Sequence, residues 1–219
     1  MSWATIFIGI VVIYALSAHN SLPSQKTAYK PPVKKKIANV QVKKPVPEME
    51  NPENDNTYLG SFSTAGMNDY QTIVSYIMDN YKKVPLADIL EIAENVTRYS
   101  IENEIDPLLI AALMSVESSF NKKAISSTGA KGLGQLKSFN FKKYLIKDPF
   151  SIQQNARATS MMIKDLLLAW NGQVKYALAS YYQGINAIKK QKKAGIPFRA
   201  DTKKYFTKII KRYEVLQRY

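Results

Sequence analysis

The stretch "LLIAALMSVE", Leu108 to Glu117, constrains the fold more than any other. It is apolar on almost every side, so as a helix it offers no broad face to water and needs neighbours all round. Asp106-Pro107 just ahead is a helix start, with the aspartate as N-cap and the proline in the first turn, where its missing N–H does no harm. The flanking segments carry helical spacing too. "DYQTIVSYIMDNY" is a short amphipathic stretch, and Leu86, Ile89, Leu90, Ala93 and Val96 recur at three- and four-residue intervals. Downstream, Ser151 caps a long helix through Ile152, Ala156, Ile163, Leu166, Leu167 and Trp170. "VKYALASYY" forms another, stopped near Gly184, and Asp201-Thr202 opens a last one carrying Tyr205, Ile209, Tyr213 and Leu216. No alternating pattern of strand length interrupts them. The expected fold class is all-α over residues 69–219, enough chain to enclose one core.

What precedes that domain is of another kind. Residues 1–18, "MSWATIFIGIVVIYALSA", carry no Asp, Glu, Lys, Arg or His. As a helix they would be about 27 Å long, near the lower limit for crossing a bilayer. The expectation is an N-terminal hydrophobic helix acting as a single-pass membrane anchor, in a virion membrane or a bacterial envelope, with Trp3 and Tyr14 at the interfaces. The alternative is a secretory signal cleaved after "ALS" or "LSA", which would leave a periplasmic or secreted protein. The absence of Lys or Arg from the first residues favours the anchor. Residues 19–68 interleave Pro23, Pro31, Pro32, Pro45, Pro47 and Pro52 with lysine and lack apolar periodicity, so they read as an extended, disordered basic linker. Orientation is in tension with this charge. Lys26, Lys30, Lys34, Lys35 and Lys36 all follow the apolar segment, which favours a cytoplasmic C-terminal side. A virion component made in a host and delivered later would resolve the conflict, and so would export against the charge bias.

The chain has no cysteine and one histidine, His19, outside the domain. Disulfides, thiolate metal sites, a Ser-His triad and a histidine zinc centre are therefore not expected, and acid-base chemistry falls to carboxylates, tyrosine or lysine. Net charge is +14, and seven lysines with no acid occupy the first 47 residues. That balance suits an anionic partner: nucleic acid, an anionic membrane or an acidic wall polymer.

Glu117 closes the apolar helix. A carboxyl against apolar neighbours keeps its proton to higher pH, because desolvation disfavours the charged form, and can then donate it to a leaving oxygen. The loop that follows, "SSTGAKGLGQ", supplies hydroxyls, an amide and glycines suited to a hydroxyl-rich substrate. Taken alone, a helix-terminal glutamate is also compatible with a solvated surface acid.

"ESSF" followed by "AISSTGAKGLGQL" resembles the Glu-Ser-x-Phe and Ser-x-x-Gly-Ala-x-Gly-Leu-x-Gln-Leu motifs of the soluble lytic transglycosylase family, the lysozyme-like SLT domain. "DPFSIQQNA" is similar to the family's Asp-Pro helix start, "ALASYYQG" to its Ala-Leu-Ala-x-Tyr-Asn-x-Gly motif, and "KKYFTKIIKRY" to its closing helix. The likeness runs in order from about residue 86 to 219. It implies that Glu117 is the catalytic acid, that Ser126 and Gln135 line the sugar cleft, and that Tyr181 faces the acid. Departures are visible as well: Gly134 stands where Met is usual, Tyr182 where Asn is usual, and Ser151 where the asparagine after Asp-Pro is common.

The resemblance implies a peptidoglycan lytic transglycosylase that cleaves between N-acetylmuramic acid and N-acetylglucosamine with one carboxylate and closes a 1,6-anhydro ring. Tyr181 and Ser126 would orient Glu117 or the substrate acetamido group. No cofactor or metal is implied. Peptidoglycan glycan strands are the expected partner, the membrane is reached through the N-terminal helix, and nucleic acid is not expected. A goose-type lysozyme-like hydrolase is the alternative enzyme, and an inactive glycan-binding or scaffold module of a secretion system or virion the alternative outside enzymes. Glu102, Glu104 and Asp106 read as solvated or capping acids, and Lys189, Lys190, Lys192 and Lys193 as an exposed face. Tyr205, Tyr213 and Tyr219 read as packing residues.

Overall fold

The computed structural model describes residues 66–219; the expected anchor and nearly all of the expected linker lie outside the described residues. Seven α-helices follow one another: α1 Gly66–Asn80, α2 Leu86–Glu102, α3 Pro107–Glu117, α4 Ile152–Ala169, α5 Val174–Gln183, α6 Ile185–Lys193 and α7 Ala200–Leu216. No β-strand occurs among the described residues, and the only pairings are isolated bridges, Ile125 with Lys131 and Lys131 with Leu136.

The apolar helix takes the centre. Every residue of α3 from Leu109 to Ser115 is buried, against α1, α2 and α7. Its start is fixed twice over. The Asp106 carboxylate accepts from the Leu108 N–H at 2.8 Å, and its other oxygen accepts the Tyr213 hydroxyl of α7. The same geometry accounts for the aspartate, a cap that also joins two helices. Helix α4 packs on α2 and α5, and α5 in turn packs on α6 and α7. The Trp170 indole N–H donates to Ser180 Oγ at 2.8 Å, tying the end of α4 to α5 inside the core. Ser151 caps α4 through a 3.3 Å bond from the Gln154 N–H.

Two details depart from the sequence reading. Helix α1 opens at Gly66, slightly ahead of Asp69. Helix α6 was not anticipated; only Ile188 of its nine residues is buried, so it leaves no apolar period to read. Its lysines 189, 190, 192 and 193 are exposed, as expected, and the Lys192 ammonium lies 4.4 Å from the Tyr176 ring centre and 5.2 Å from that of Trp170. Gly184 separates α5 from α6 at φ 88°, a left-handed conformation that favours glycine. Among the described residues no helix is long and apolar enough to cross a membrane.

Candidate active site

Glu117 is the last residue of α3, where a helix buried along its length reaches the surface of the core. Burial raises its carboxyl from the ordinary 4.5 to about 7, against the opposing pull of a hydrogen bond from Tyr205 and of the Lys208 charge. The Tyr205 hydroxyl, on α7, donates to Glu117 Oε1. With Oε1 occupied, Oε2 is the oxygen left to carry the proton. Burial, and after it the negative charge of Glu117, push the Tyr205 hydroxyl well above the usual tyrosine range, so it stays a donor. The packing of α3 on α7 is what brings these two residues together.

The loop after Glu117 is built around backbone that ordinary residues adopt reluctantly. Ser119 and Phe120 both have positive φ, 53° and 59°, and the turn holds because Phe120 is buried beneath it. The glycine-rich part is pinned from α4 by one buried side chain, Asn155. Its Oδ1 accepts from the Gly134 N–H at 2.8 Å, and its Nδ2 donates to the carbonyls of Pro149 at 2.8 Å and Lys131 at 3.2 Å. Gly132, at φ 74°, leaves no room for a side chain: a Cβ there would lie 2.2 Å from the Pro149 carbonyl oxygen.

Gly134 is equally confined. A Cβ would meet Thr159 Oγ1 at 2.2 Å and the Tyr181 hydroxyl at 3.0 Å. The Tyr181 hydroxyl donates to the Gly134 carbonyl at 2.6 Å. Thr159 and Tyr181 thus fill the space that a larger residue would take, which explains why glycine stands at this position.

The four residues anticipated from the sequence are placed as follows. Glu117 closes α3, and the Tyr181 hydroxyl is pushed well above the usual tyrosine range by burial and then by the charge of Glu117. The hydrogen bond to the acid, however, comes from Tyr205, while Tyr181 supports the loop. Ser126 Oγ accepts from the Ala130 N–H at 3.0 Å and lies 3.2 Å from the Thr128 hydroxyl, closing its own turn. Gln135, at φ 51°, turns its amide N–H groups onto the carbonyls of Ala124 and Gly132 at 3.2 and 2.9 Å. Both are loop-building contacts in this structure. Sequence reasoning missed Tyr205 and Asn155. The signal for Tyr205 is its place in the closing motif, where its spacing reads as packing; Asn155 lies within "DPFSIQQNA", where the legible feature is the helix start.

Tyr182 completes the group. Its ring is 48% exposed and stacks on that of Tyr205, with centres 4.6 Å apart and planes 20° from parallel. The side chain in the usual asparagine position therefore braces the donor to the acid.

A family model described as the transglycosylase SLT domain matches residues 94–204, slightly more than half of the chain. The chain belongs to the transglycosylase SLT family. Within this SLT domain the match covers Glu117, the glycine-rich loop, Asn155, Tyr181 and nearly all the way to Tyr205. The chain is similar to a protein named transglycosylase from Enterobacteria phage PRD1, at 28% identity over 123 residues, 56% of this chain and 43% of that protein. It thus spans less than half the length of this relative. Two solved structures share the SLT fold. The lytic transglycosylase Slt of Pseudomonas aeruginosa, in an inactive mutant form, has a TM-score of 0.52 and 20% identity over 69% of this chain and 28% of its own. The 70 kDa soluble lytic transglycosylase of Escherichia coli has a TM-score of 0.52 and 18% identity, over 67% and 29%.

Proposed function

We propose that this SLT protein is a peptidoglycan lytic transglycosylase in which Glu117 acts first as acid and then as base. The observation that carries the reading is a glutamate at the end of the enclosed helix α3 with one carboxyl oxygen held by Tyr205, its pKa pushed up by burial to about 7, and followed in the chain by the family's glycine-rich loop. In the reaction, Glu117 gives its proton to the oxygen joining N-acetylmuramic acid to N-acetylglucosamine, and the bond from C1 to that oxygen breaks. The substrate's acetamido oxygen closes on C1. Glu117, now a carboxylate held by the Tyr205 hydroxyl, takes the proton of the C6 hydroxyl, and O6 displaces the acetamido oxygen to leave a 1,6-anhydro ring. No water is consumed, and the acid ends protonated again.

A single carboxyl suffices for this cycle, whereas ordinary glycosidases place two about the bond. Tyr205 and Lys208 are the groups that oppose burial at Glu117, and both favour the carboxylate that the second step of this cycle uses. We further propose that the cut is local, made by a domain that residues 1–18 anchor and the basic, proline-rich segment 19–68 connects. The phage relative supports a virion protein used at genome entry.

Mass spectrometry of products from purified peptidoglycan tests the reaction directly. Anhydro-muramic ends are expected from the wild type and none from Glu117→Gln. Hydrated reducing ends alone would overturn the assignment in favour of a hydrolase.

A further inference from the structure

The end of α5 grips the start of α7 at two neighbouring points. Gln183 Nε2 donates to the Thr202 hydroxyl, and the ring of Tyr182 stacks on that of Tyr205, with centres 4.6 Å apart and planes 20° from parallel. Thr202 and Tyr205 stand one turn apart on α7, so both grips fall on one face of that helix. Thr202 is fully buried, and the Gln183 side-chain oxygen in turn accepts from Gln191 Nε2 of α6 at 3.1 Å. The first grip therefore fixes the body of α7, while the second acts on a single side chain.

That side chain is the one that holds the acid, since the Tyr205 hydroxyl donates to Glu117 Oε1. A fixed helix does not by itself fix this bond. The hydroxyl lies at the far end of a long side chain, and a change in the first side-chain torsion would carry it away from the carboxyl. A ring lying nearly parallel over Tyr205 opposes that swing, because the swing gives up the stack. The contact is ring on ring, so the aromatic ring of Tyr182 rather than its hydroxyl supplies the restraint. Position 182 is also where asparagine is usual in the family motif, and an asparagine has no ring to stack. The brace is thus a property of this chain beyond the shared motif set.

We propose that Tyr182 is a positioning residue of the reaction, keeping the Tyr205 hydroxyl on Glu117 without itself touching the reacting atoms. The proposal rests on the reading of Glu117 as acid and base. The other groups that act on this pair are Lys208 on Glu117, and Tyr181 together with Tyr182 on Tyr205. Among the described residues, Tyr205 alone is hydrogen-bonded to the carboxyl. With the brace removed, that bond is made for a smaller share of the time. The carboxyl then keeps its proton to higher pH, and the carboxylate of the second step has a weaker donor. Tyr182 accordingly acts on rate rather than on substrate affinity.

The test compares the full-length wild type with Tyr182→Phe, Tyr182→Asn and Tyr182→Leu on purified glycan strands. Tyr182→Phe keeps the ring and should match the wild type. Tyr182→Asn and Tyr182→Leu remove it from a half-exposed position. Each should lower kcat by about threefold to tenfold, the range that a lost aromatic stack allows, with KM unchanged. The Glu117 carboxyl, followed directly by carbon-detected NMR, should titrate at higher pH in both. In a Tyr205→Phe background, Tyr182→Asn should add nothing to that shift. A Glu117 titration that stays in place in both variants overturns the proposal. So does a Tyr182→Phe protein as slow as Tyr182→Asn, or a rise in KM at constant kcat, which would assign the ring to the sugar. Should Glu117→Gln still cut, the catalytic reading fails, while the titration still decides the brace.

Discussion

Tyr205 of α7 donates its hydroxyl to Glu117 at the end of α3, 88 residues away in sequence. This bond opposes the effect of burial: it favours the carboxylate and pulls the Glu117 proton affinity down, while desolvation pushes it up. Removing the hydroxyl with Tyr205→Phe should therefore raise the Glu117 pKa by about one further unit, the order expected for a hydrogen bond to a charged group. The alkaline limb of the rate profile should move to higher pH by the same amount, and the maximal rate should fall because the resulting carboxylate loses its donor. An unmoved limb would mean that Tyr205 only packs.

Replacing Glu117 by Gln should lower the cutting rate by about a hundredfold or more, the usual contribution of a positioned general acid. The same variant makes a stability prediction of known sign. Because the folded carboxyl binds its proton up to about pH 7 and the unfolded one only to 4.5, the folded state holds more protons between these values. The contribution of Glu117 to stability should then fall as pH rises from 4.5 to 7 and level off outside that window. The Gln variant lacks this slope and should be the more stable protein at pH 8, by up to about 3 kcal/mol. Denaturant melts at pH 4 and pH 8 check both the sign and the window.

Gly134→Met would install the residue more usual in the family motif, yet it should destabilise this protein by about 1–3 kcal/mol, since Thr159 and Tyr181 already occupy the space. Thermal melts give the readout. A combined Thr159→Ala, Gly134→Met variant should recover part of the loss, because the nearest clash is with the threonine hydroxyl.

Asn155→Leu should be among the most damaging changes outside the acid. It keeps the volume but strips partners from the Gly134 N–H and the Pro149 and Lys131 carbonyls, and a buried polar group left unpaired costs about 1–3 kcal/mol. A fall in midpoint denaturant concentration, together with protease cleavage within residues 124–136, is the expected pattern.

Much of this fold is legible in the sequence because its helices announce themselves by caps and apolar spacing. Asp106, Pro107 and Ser151 mark starts that the structure reproduces, and the all-round apolar character of α3 forecasts its enclosure. Helix α6 escaped because a single buried residue makes no period. The acid was legible for a related reason: Glu117 directly follows a buried run, so its desolvation could be inferred locally. Its partner could not be, since which tyrosine reaches it depends on how α7 crosses α3, and Tyr205, Tyr213 and Tyr181 all carry the same hydroxyl. Asn155 was hidden in the same way, its three bonds going to loop backbone on either side of Phe139 and Lys147 that spacing does not locate.

The acid and its tyrosine stand on two helices of the central stack, whereas the two turns near them hang from Asn155 and from Phe120. Proton affinity and ligand fit are consequently set by separate parts of the molecule. Under the proposed reaction, a change in either turn should then leave the Glu117 proton affinity where it is.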